Sequence, residues 1–314
     1  MTSPPCVYYF CSVENKDTTH ICPICGCAGT SHFANCKDYA VSGETYELLR
    51  CGGCGVIYTI DTPLEEDKDT YSKLQQELYR ADKPQKLFDR IYYHMRFVTI
   101  RRRTKLIEEL TRLKKGRLLN YGAKSGYFSN KMENRGWLVT SLEEYHEHRV
   151  FSLEMFHHRM LEMSEIDNLP AESFDVITLW HIFEHHSNPG ELIDKLYSLL
   201  KPNGILLIAC PNTDSYDAEH YGADWAAWDV PRHLWHFNPS SLMTFCKKHN
   251  FVLMYHKRIP FDVFYISILS EQYRNRKFKV LRGLLNGLYF WMKTNRQRGR
   301  SSSIVYGFRK ISDK

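Results

Sequence analysis

Residues 116–144 read GRLLNYGAKSGYFSNKMENRGWLVTSLEE and predict a strand, a turn, a helix and a second strand, in that order. Gly122 and Gly126 bracket the turn, and the acidic Glu143 follows the second strand. Glycines let the backbone approach a ligand closely, a helix N-terminus offers unpaired N–H groups, and an acid there accepts hydrogen bonds from ribose hydroxyls. The order therefore indicates a nucleotide-binding βαβ unit. The alternative is an ordinary βα turn, because Lys124 stands where a third glycine is usual.

Length and composition restrict the class of protein. A chain of 314 residues can bury one large core plus a small module, and 43% apolar with 25% charged residues is typical of globular proteins. We see neither an apolar run long enough to span a bilayer nor a signal peptide, so we expect a cytoplasmic protein. Its cysteines are then expected to be metal ligands or free thiols rather than disulfides. A net charge of +6 does not by itself indicate nucleic acid.

Two Cys-x-x-Cys pairs predict a small metal module near the N-terminus. They comprise Cys22, Cys25, Cys51 and Cys54. Paired thiolates at such spacing form tetrahedral zinc sites, and a set of four leaves no open coordination position, which indicates a structural zinc. Residues 39–41 and 46–50 are predicted strands, which would complete a zinc ribbon. Cys27 and Cys36 are alternative ligands, and four surface thiols are the remaining interpretation.

The remainder of the chain is predicted to form a helical segment and one large domain. Residues 1–62 would hold the N-terminal tail and the ribbon, and residues 63–115 a helical linker or cap. Residues 116–314 would form the main domain, with a basic insertion near residues 261–301. Apolar residues recur at helical spacing in the linker, at Leu74, Leu78 and Tyr79 and again at Ile107, Leu110 and Leu113.

A second group of ionisable residues follows a buried strand. Residues 175–180, DVITLW, form a continuous apolar run that leads directly into His181, Glu184 and His185. Ligands bind beyond the carboxyl ends of strands in open parallel sheets, so these side chains are placed for chemistry. Further along, the segment PRHLWHF contributes His233 from an aromatic loop. The alternative is that some of these residues only cap the next helix or line the sheet edge.

Capping signals show that helices alternate with the strands. Asn188 is a predicted N-cap followed by Pro189 at the first helical position, and the next strand is predicted at 205–209. A further strand is predicted at 251–258. Alternation of this kind favours an α/β fold with a parallel sheet that is covered by helices on both faces.

Three stretches carry a resemblance to a known family. They are SFDVITLWHIFEH, LLKPNGILLIACPN and DWAAWDVPRHLWHFNPSSL. With the turn and the cysteines, they resemble class I S-adenosylmethionine-dependent methyltransferases, in particular the bacterial branch with an N-terminal zinc ribbon. The resemblance implies a Rossmann-like seven-stranded sheet with helices on both faces and an antiparallel last strand, expected at 302–308. It also implies methyl transfer from S-adenosylmethionine.

By position, the resemblance assigns a set of cofactor contacts. They are Asn120, Tyr121, Gly122, Gly126, Glu143, Trp180 and His181. Two positions depart from the family pattern, since Asn120 stands where an acidic residue is usual and Lys124 replaces the middle glycine. Asn120 brings no charge to offset the cationic cofactor, and Lys124 adds a positive charge near it.

The expected reaction is an in-line methyl transfer to a small-molecule or carbohydrate-like acceptor, assisted by a histidine base. His233 is the favoured base, with His181 and His185 as the other candidates and Glu184 as an orienting partner or weak metal ligand. One alternative is a catalytically silent binding protein. Another is a nucleic-acid methyltransferase, which salt-dependent gel shifts would reveal.

The sequence does not decide what the basic insertion at residues 261–301 binds. Residues 273–300 contain many Arg and Lys residues and no Asp or Glu. Its apolar residues recur at helical spacing, at Leu281, Leu284, Leu285, Leu288 and Met292. The segment would form a lid for an anionic substrate, a peripheral contact with an anionic membrane surface, or a helix packed on the core with a solvated basic face.

Overall fold

The computed structural model describes residues 21–62 and 87–311, with only the backbone for residues 87–95 and for Arg298. The predicted helical positions Leu74, Leu78 and Tyr79 lie outside these residues. The strands are β1 (Thr30–Lys37), β2 (Thr45–Cys51), β3 (Ile57–Thr59), β4 (Arg117–Tyr121), β5 (Leu138–Leu142), β6 (Phe174–Trp180), β7 (Leu200–Pro211), β8 (Trp235–His236), β9 (Phe251–Arg258) and β10 (Ser303–Lys310). The helices are α1 (Leu87–Thr111), α2 (Tyr127–Glu133), α3 (His146–Phe156), α4 (Pro189–Leu199), α5 (Tyr216–Tyr221), α6 (Pro239–Lys248), α7 (Asp262–Tyr273) and α8 (Lys279–Lys293).

The main sheet has the strand order β5-β4-β6-β7-β10-β9. The first four of these strands run parallel, and β10 is antiparallel to both of its neighbours. This arrangement confirms the predicted α/β class and the antiparallel last strand. The resemblance implies seven strands, and the described residues form six of them. Beyond β5 they make only one parallel bridge, between Leu142 and Leu161.

Local sequence explains the central part of this sheet. β6 is buried along almost its whole length, as a strand covered on both faces requires. The side chain of Asn188 accepts a hydrogen bond from the Glu191 N–H, and Pro189 occupies the first turn of α4. These caps satisfy backbone donors that would otherwise lack partners. They fix where the chain leaves the sheet edge and the helix begins.

The N-terminal module is a four-stranded antiparallel sheet of order β1-β2-β3-β8. The strand predicted at 39–41 is wrong, because these residues form a turn between β1 and β2. The buried carboxylate of Asp38 accepts hydrogen bonds from the N–H groups of Ala40, Val41 and Ser42. A short acidic side chain that bonds the following backbone favours a turn over a strand.

The two sheets are joined through β8, which comes from the aromatic loop of the main domain. Ile57 pairs with His236 and Tyr58 with Trp235. The Thr59 hydroxyl donates to the carbonyl of His233 at 2.9 Å. The ribbon therefore holds the segment that carries His233.

Helices α7 and α8 form a hairpin between β9 and β10, where the basic insertion was predicted. Small residues allow their close approach, since a Cβ at Gly283 would lie 2.5 Å from the Ile268 Cα. None of the helices in the described part of the chain is long and apolar enough to cross a membrane.

Candidate active site

The glycine turn lies against the ends of two neighbouring strands. The N–H groups of Gly122 and Ala123 both donate to the carbonyl of Leu142, the last residue of β5. On the side of β6, a Cβ at Gly122 would lie 2.6 Å from a side-chain carbon of Ile182. Gly122 also has a φ of +71°, so the position demands glycine for conformation and for space. The turn is thus fixed where the strands of a parallel sheet present their ligand-binding edge.

Glu143 connects this turn to the end of β5. One carboxylate oxygen accepts from the Lys124 N–H at 2.6 Å, and the other accepts from the Tyr145 N–H at 3.2 Å. His148 lies 3.1 Å from the second oxygen. A carboxylate has about four lone-pair sites, so acceptor capacity remains for the hydroxyls of a ribose. The position after β5 and this capacity fit the predicted ribose contact, which stays a prediction.

Asn120 lies beneath the turn, in the core. Its amide donates to Ser129 at 2.9 Å and accepts from the Thr178 hydroxyl at 3.0 Å. Both ends of the amide are therefore engaged between β4, β6 and α2. Tyr121, the next residue, is buried with its ring centroid 6.4 Å from that of His186. The assignment of these two residues to the cofactor stays a prediction.

Lys124 has a φ of 52°, which is the left-handed conformation that the glycine usual at this position adopts easily. Burial, together with the charge of Arg103, lowers the pKa of Lys124, and the carboxylates of Glu184 and Glu143 act in the opposite direction. The side chain is half-buried. The Lys124 ammonium lies close enough to Glu184, Glu143 and Asp229 for their charges to act on it.

Trp180 ends β6 and is buried below the Arg103 guanidinium, which lies 4.3 Å from the ring centroid. Within the described residues its indole N–H has no hydrogen-bond partner. A buried donor without a partner is costly, and a bound ligand can satisfy it. This orphaned donor fits a cofactor or acceptor at the end of β6.

His181 has a φ of 53°, an unusual conformation for a residue other than glycine. Its side chain lies 3.1 Å from Asp262 of α7 and 3.6 Å from Glu184. Burial would lower the pKa of His181, but these carboxylates outweigh it and raise the pKa to about 9. His181 is therefore an imidazolium near neutral pH. In this state it cannot accept a proton, which weakens its candidacy as a base.

His233 has the opposite protonation state. Its Nδ1 lies 2.9 Å from the carbonyl of Ala227 and must donate to it, which leaves the lone pair on Nε2. Nε2 lies 3.9 Å from a carboxylate oxygen of Glu184 and 3.9 Å from one of Asp229. Burial, assisted by His185, holds the pKa of His233 well below its usual value of 6.5. The low pKa keeps the ring neutral with its lone pair on Nε2 available, and it also makes His233 a weaker base than an exposed histidine.

Glu184 and His185 complete the cluster. Glu184 is 1% exposed, and within the described residues neither of its carboxylate oxygens has a hydrogen-bond partner. Burial alone would raise the pKa of Glu184, but His181 and the other neighbouring histidines lower it to about 2. His185 donates from Nδ1 to the carbonyl of Arg232, and burial lowers its pKa.

Ligand atoms of Glu184, His185 and His233 lie within 4.8 Å of one another. Donors of these types and spacing can hold a metal ion as well as transfer a proton. The cationic ring of His181 already neutralises Glu184, which favours proton transfer.

Sequence reasoning missed the partners that fix this cluster. Asp262, which pairs with His181, lies in the basic insertion. Arg232 forms ion pairs with Asp229 and with the buried Asp38 of the ribbon, the latter at 2.9 Å. Asp229 and Arg232 lie within the stretch DWAAWDVPRHLWHFNPSSL, but no motif pointed to Asp38 or Asp262.

The four predicted zinc ligands come together. Cys22 and Cys54 have their sulfurs 3.8 Å apart, and those of Cys25 and Cys51 are 3.5 Å apart. Tetrahedral zinc with Zn–S bonds of about 2.3 Å places its sulfurs roughly 3.8 Å apart. Cys27 accepts from the Gly29 N–H, and Cys36 is buried elsewhere, against the aromatic residues around Trp228. The geometry of the four sulfurs fits a zinc ion.

The strand order, the glycine turn and the ionisable cluster define a nucleotide-binding α/β domain of the class I methyltransferase type. A family model described as a methyltransferase domain matches residues 92–256, more than half of the 314-residue chain. The protein belongs to this methyltransferase family and is an S-adenosylmethionine-dependent methyltransferase, as its sequence predicts.

Two curated relatives are ubiquinone biosynthesis O-methyltransferases. The protein from Haemophilus ducreyi is 26% identical over 147 residues, which cover 41% of this chain and 62% of that protein. The one from Xanthomonas euvesicatoria is 26% identical over 183 residues, or 55% of this chain and 73% of that protein. The match to the first relative thus spans less than two thirds of its length.

The chain also aligns with solved structures. A methyltransferase from Archaeoglobus fulgidus is 18% identical, with 68% of this chain and 94% of that chain covered and a TM-score of 0.47. A 1,6-didemethyltoxoflavin-N1-methyltransferase from Burkholderia thailandensis is 13% identical, with 88% and 100% covered and a TM-score of 0.48.

Lys124→Gly is expected to tighten S-adenosylmethionine binding about fivefold. Removal of a positive charge several ångström from a cationic ligand is worth about 1 kcal/mol, which is about fivefold in Kd. Calorimetric titration measures the change, and Lys124→Ala separates the charge from the backbone because it keeps a Cβ. Weaker binding by both variants would show instead that Lys124 holds the cofactor.

Proposed function

We propose that the protein methylates a hydroxyl oxygen of a small-molecule acceptor, with His233 as the general base. The single observation that carries the proposal is the placement of His233: its Nδ1 lies 2.9 Å from the Ala227 carbonyl, which leaves Nε2 as the nitrogen that can take a proton, 3.9 Å from Glu184. The names of the curated relatives, which are O-methyltransferases of ubiquinone biosynthesis, support oxygen as the methylated atom.

When bound, S-adenosylmethionine supplies a methyl group on a sulfonium, and its displacement leaves a neutral thioether. His233 Nε2 takes the proton of the acceptor hydroxyl as the oxygen forms its bond to the methyl carbon. The imidazolium that results is stabilised by Glu184, which the low pKa keeps ionised. Ala227 holds the ring in the tautomer that exposes the lone pair. The proton later returns to solvent, which restores the base.

The cofactor would be held by the residues at the edge of the parallel strands. Gly122 and Gly126 shape the turn beside its methionine portion, and Glu143 would accept from the ribose hydroxyls. Trp180 would offer its unpartnered indole N–H. His181 would lie beside the cofactor as a fixed cation paired with Asp262, a role of positioning and not of proton uptake.

We propose further that a structural zinc ion occupies the four-cysteine cluster. Four thiolates leave no open position, so the metal would take no part in the chemistry. Its effect on catalysis would pass through β3 and β8 to the segment that carries His233.

The experiment that tests the proposal is an acceptor screen with zinc-loaded protein. Phenols, catechols and sugar hydroxyls are compared with amines of matched size, and formation of S-adenosylhomocysteine is measured together with the mass of the product. We expect methyl ethers from hydroxyl acceptors and no methylated amines. Transfer to amines alone, by protein that binds the cofactor, would contradict oxygen methylation.

A further inference from the structure

The outward face of α8 is unusual for a helix at a protein surface. Its inward face consists of Gly283, Gly287 and Phe290, which are buried against the rest of the molecule. The large apolar residues point the other way. This outer face of α8 comprises Phe278, Leu281, Leu284, Leu285, Leu288 and Met292, all of them exposed. Leu281 and Leu285 are 57% and 58% exposed, and Phe278 is 78% exposed. The core-packed interpretation of this stripe is therefore not what the structure shows.

Positive charge surrounds the outer face. Residues 272–300 contain no Asp or Glu. The exposed cationic side chains include Arg276, Lys277, Lys279, Lys293 and Arg296. A surface depression is lined by Phe278, Leu281 and Leu284 together with Arg276, Lys277 and Lys279. Apolar and basic side chains thus share one continuous surface.

We propose that the outer face of α8 binds an anionic lipid surface. An interfacial helix places its apolar face at the boundary of headgroups and acyl chains, while its basic residues contact anionic headgroups. At 15 residues, α8 is too short to span a bilayer and suits an orientation in the interface plane. The positive charge around the outer face argues against a second copy of the chain as its partner, because the basic residues of the two copies would then repel one another. A small anionic substrate would not need so large an apolar surface.

The test is co-sedimentation of the full, zinc-loaded chain with lipid vesicles. Vesicles of phosphatidylcholine alone are compared with vesicles in which a quarter of the lipid is phosphatidylglycerol. We expect about tenfold tighter binding to the anionic vesicles and weaker binding as salt is raised. Because this measurement does not involve methyl transfer, its outcome is independent of the proposed function.

Paired variants separate apolar insertion from charge. Leu281→Ser with Leu285→Ser is expected to weaken binding to anionic vesicles about tenfold, since the buried apolar area falls while the charge is unchanged. Leu138→Ser is the matched control, because Leu138 is 70% exposed on β5 and lies outside the outer face. Equal binding by the paired variant would overturn the proposal. A dimer that the paired variant abolishes, without any vesicle binding by the unmodified chain, would also overturn it.

Discussion

Replacement of His233 by Gln is expected to lower kcat by about 10²–10⁴-fold, the usual contribution of a general base. The affinity for S-adenosylmethionine is expected to stay within about twofold, because the substitution leaves the glycine turn and Glu143 untouched. The amide nitrogen of Asn can occupy the position of Nδ1 and donate to the Ala227 carbonyl. His233→Asn, which keeps this contact, is therefore expected to show the same loss of kcat. Steady-state kinetics and calorimetric titration measure the two quantities.

His186→Gln is the matched control for this substitution. His186 lies next to His185 in the chain, but its Nδ1 is occupied by the backbone of Asn188. We expect its kcat to be unchanged. A fall in kcat for both variants, or for neither, would remove His233 from the role of base.

The same assignment predicts the dependence on pH. A base must be neutral to act, and the pKa of His233 is held well below 6.5 by burial. Lowering the pH through 6.5 should therefore leave kcat/KM nearly unchanged, with the loss only at lower pH. In His233→Gln this acidic limb should be absent. An acidic limb centred at or above 6.5 that survives in the variant would belong to another group.

Features written in contiguous residues could be predicted from the sequence. The turn at Gly122 and Gly126, the buried strand that ends at Trp180 and the cap at Asn188 depend on neighbours within a few positions. The cysteine pairs could be recognised because the two zinc ligands of a pair have a fixed spacing in the sequence. The number of residues between the two pairs is not fixed in this way. Local chemistry also produced the error at 39–41, where an aromatic and β-branched composition concealed the turn that Asp38 imposes.

The protonation states could not be predicted, because they depend on pairings between distant parts of the chain. His181 and His233 both lie near the carboxylate of Glu184, yet His181 is cationic and His233 is neutral. Asp262 reaches His181 only through the placement of α7, and Glu184 comes within 3.9 Å of His233 although the two are far apart in the chain. Contacts of this kind follow from tertiary packing and leave no periodic signal in the sequence.

Loss of zinc from the ribbon is expected to reduce both stability and turnover, although no cysteine of the cluster is proposed to touch a substrate. Structural zinc sites hold their metal with about 10–16 kcal/mol in small domains, and such domains unfold without it. Cys54→Ser should therefore lose the metal, lower the midpoint of thermal unfolding and release β3 from β8. The Thr59 contact that fixes the His233 carbonyl would be lost with it.

Turnover is the decisive measurement on the zinc-free protein. We expect kcat to fall about 10²-fold, because small displacements of a catalytic group cost about that much. Affinity for S-adenosylmethionine should change less, since the cofactor-binding edge is formed by the main sheet. Cys27→Ser is the matched control, because Cys27 lies beside the cluster and its sulfur accepts a hydrogen bond from the Gly29 N–H. It should keep one zinc ion per chain and full activity. If Cys54→Ser loses zinc and yet keeps its kcat, the ribbon does not position His233, and the pairing of β3 with β8 serves stability alone.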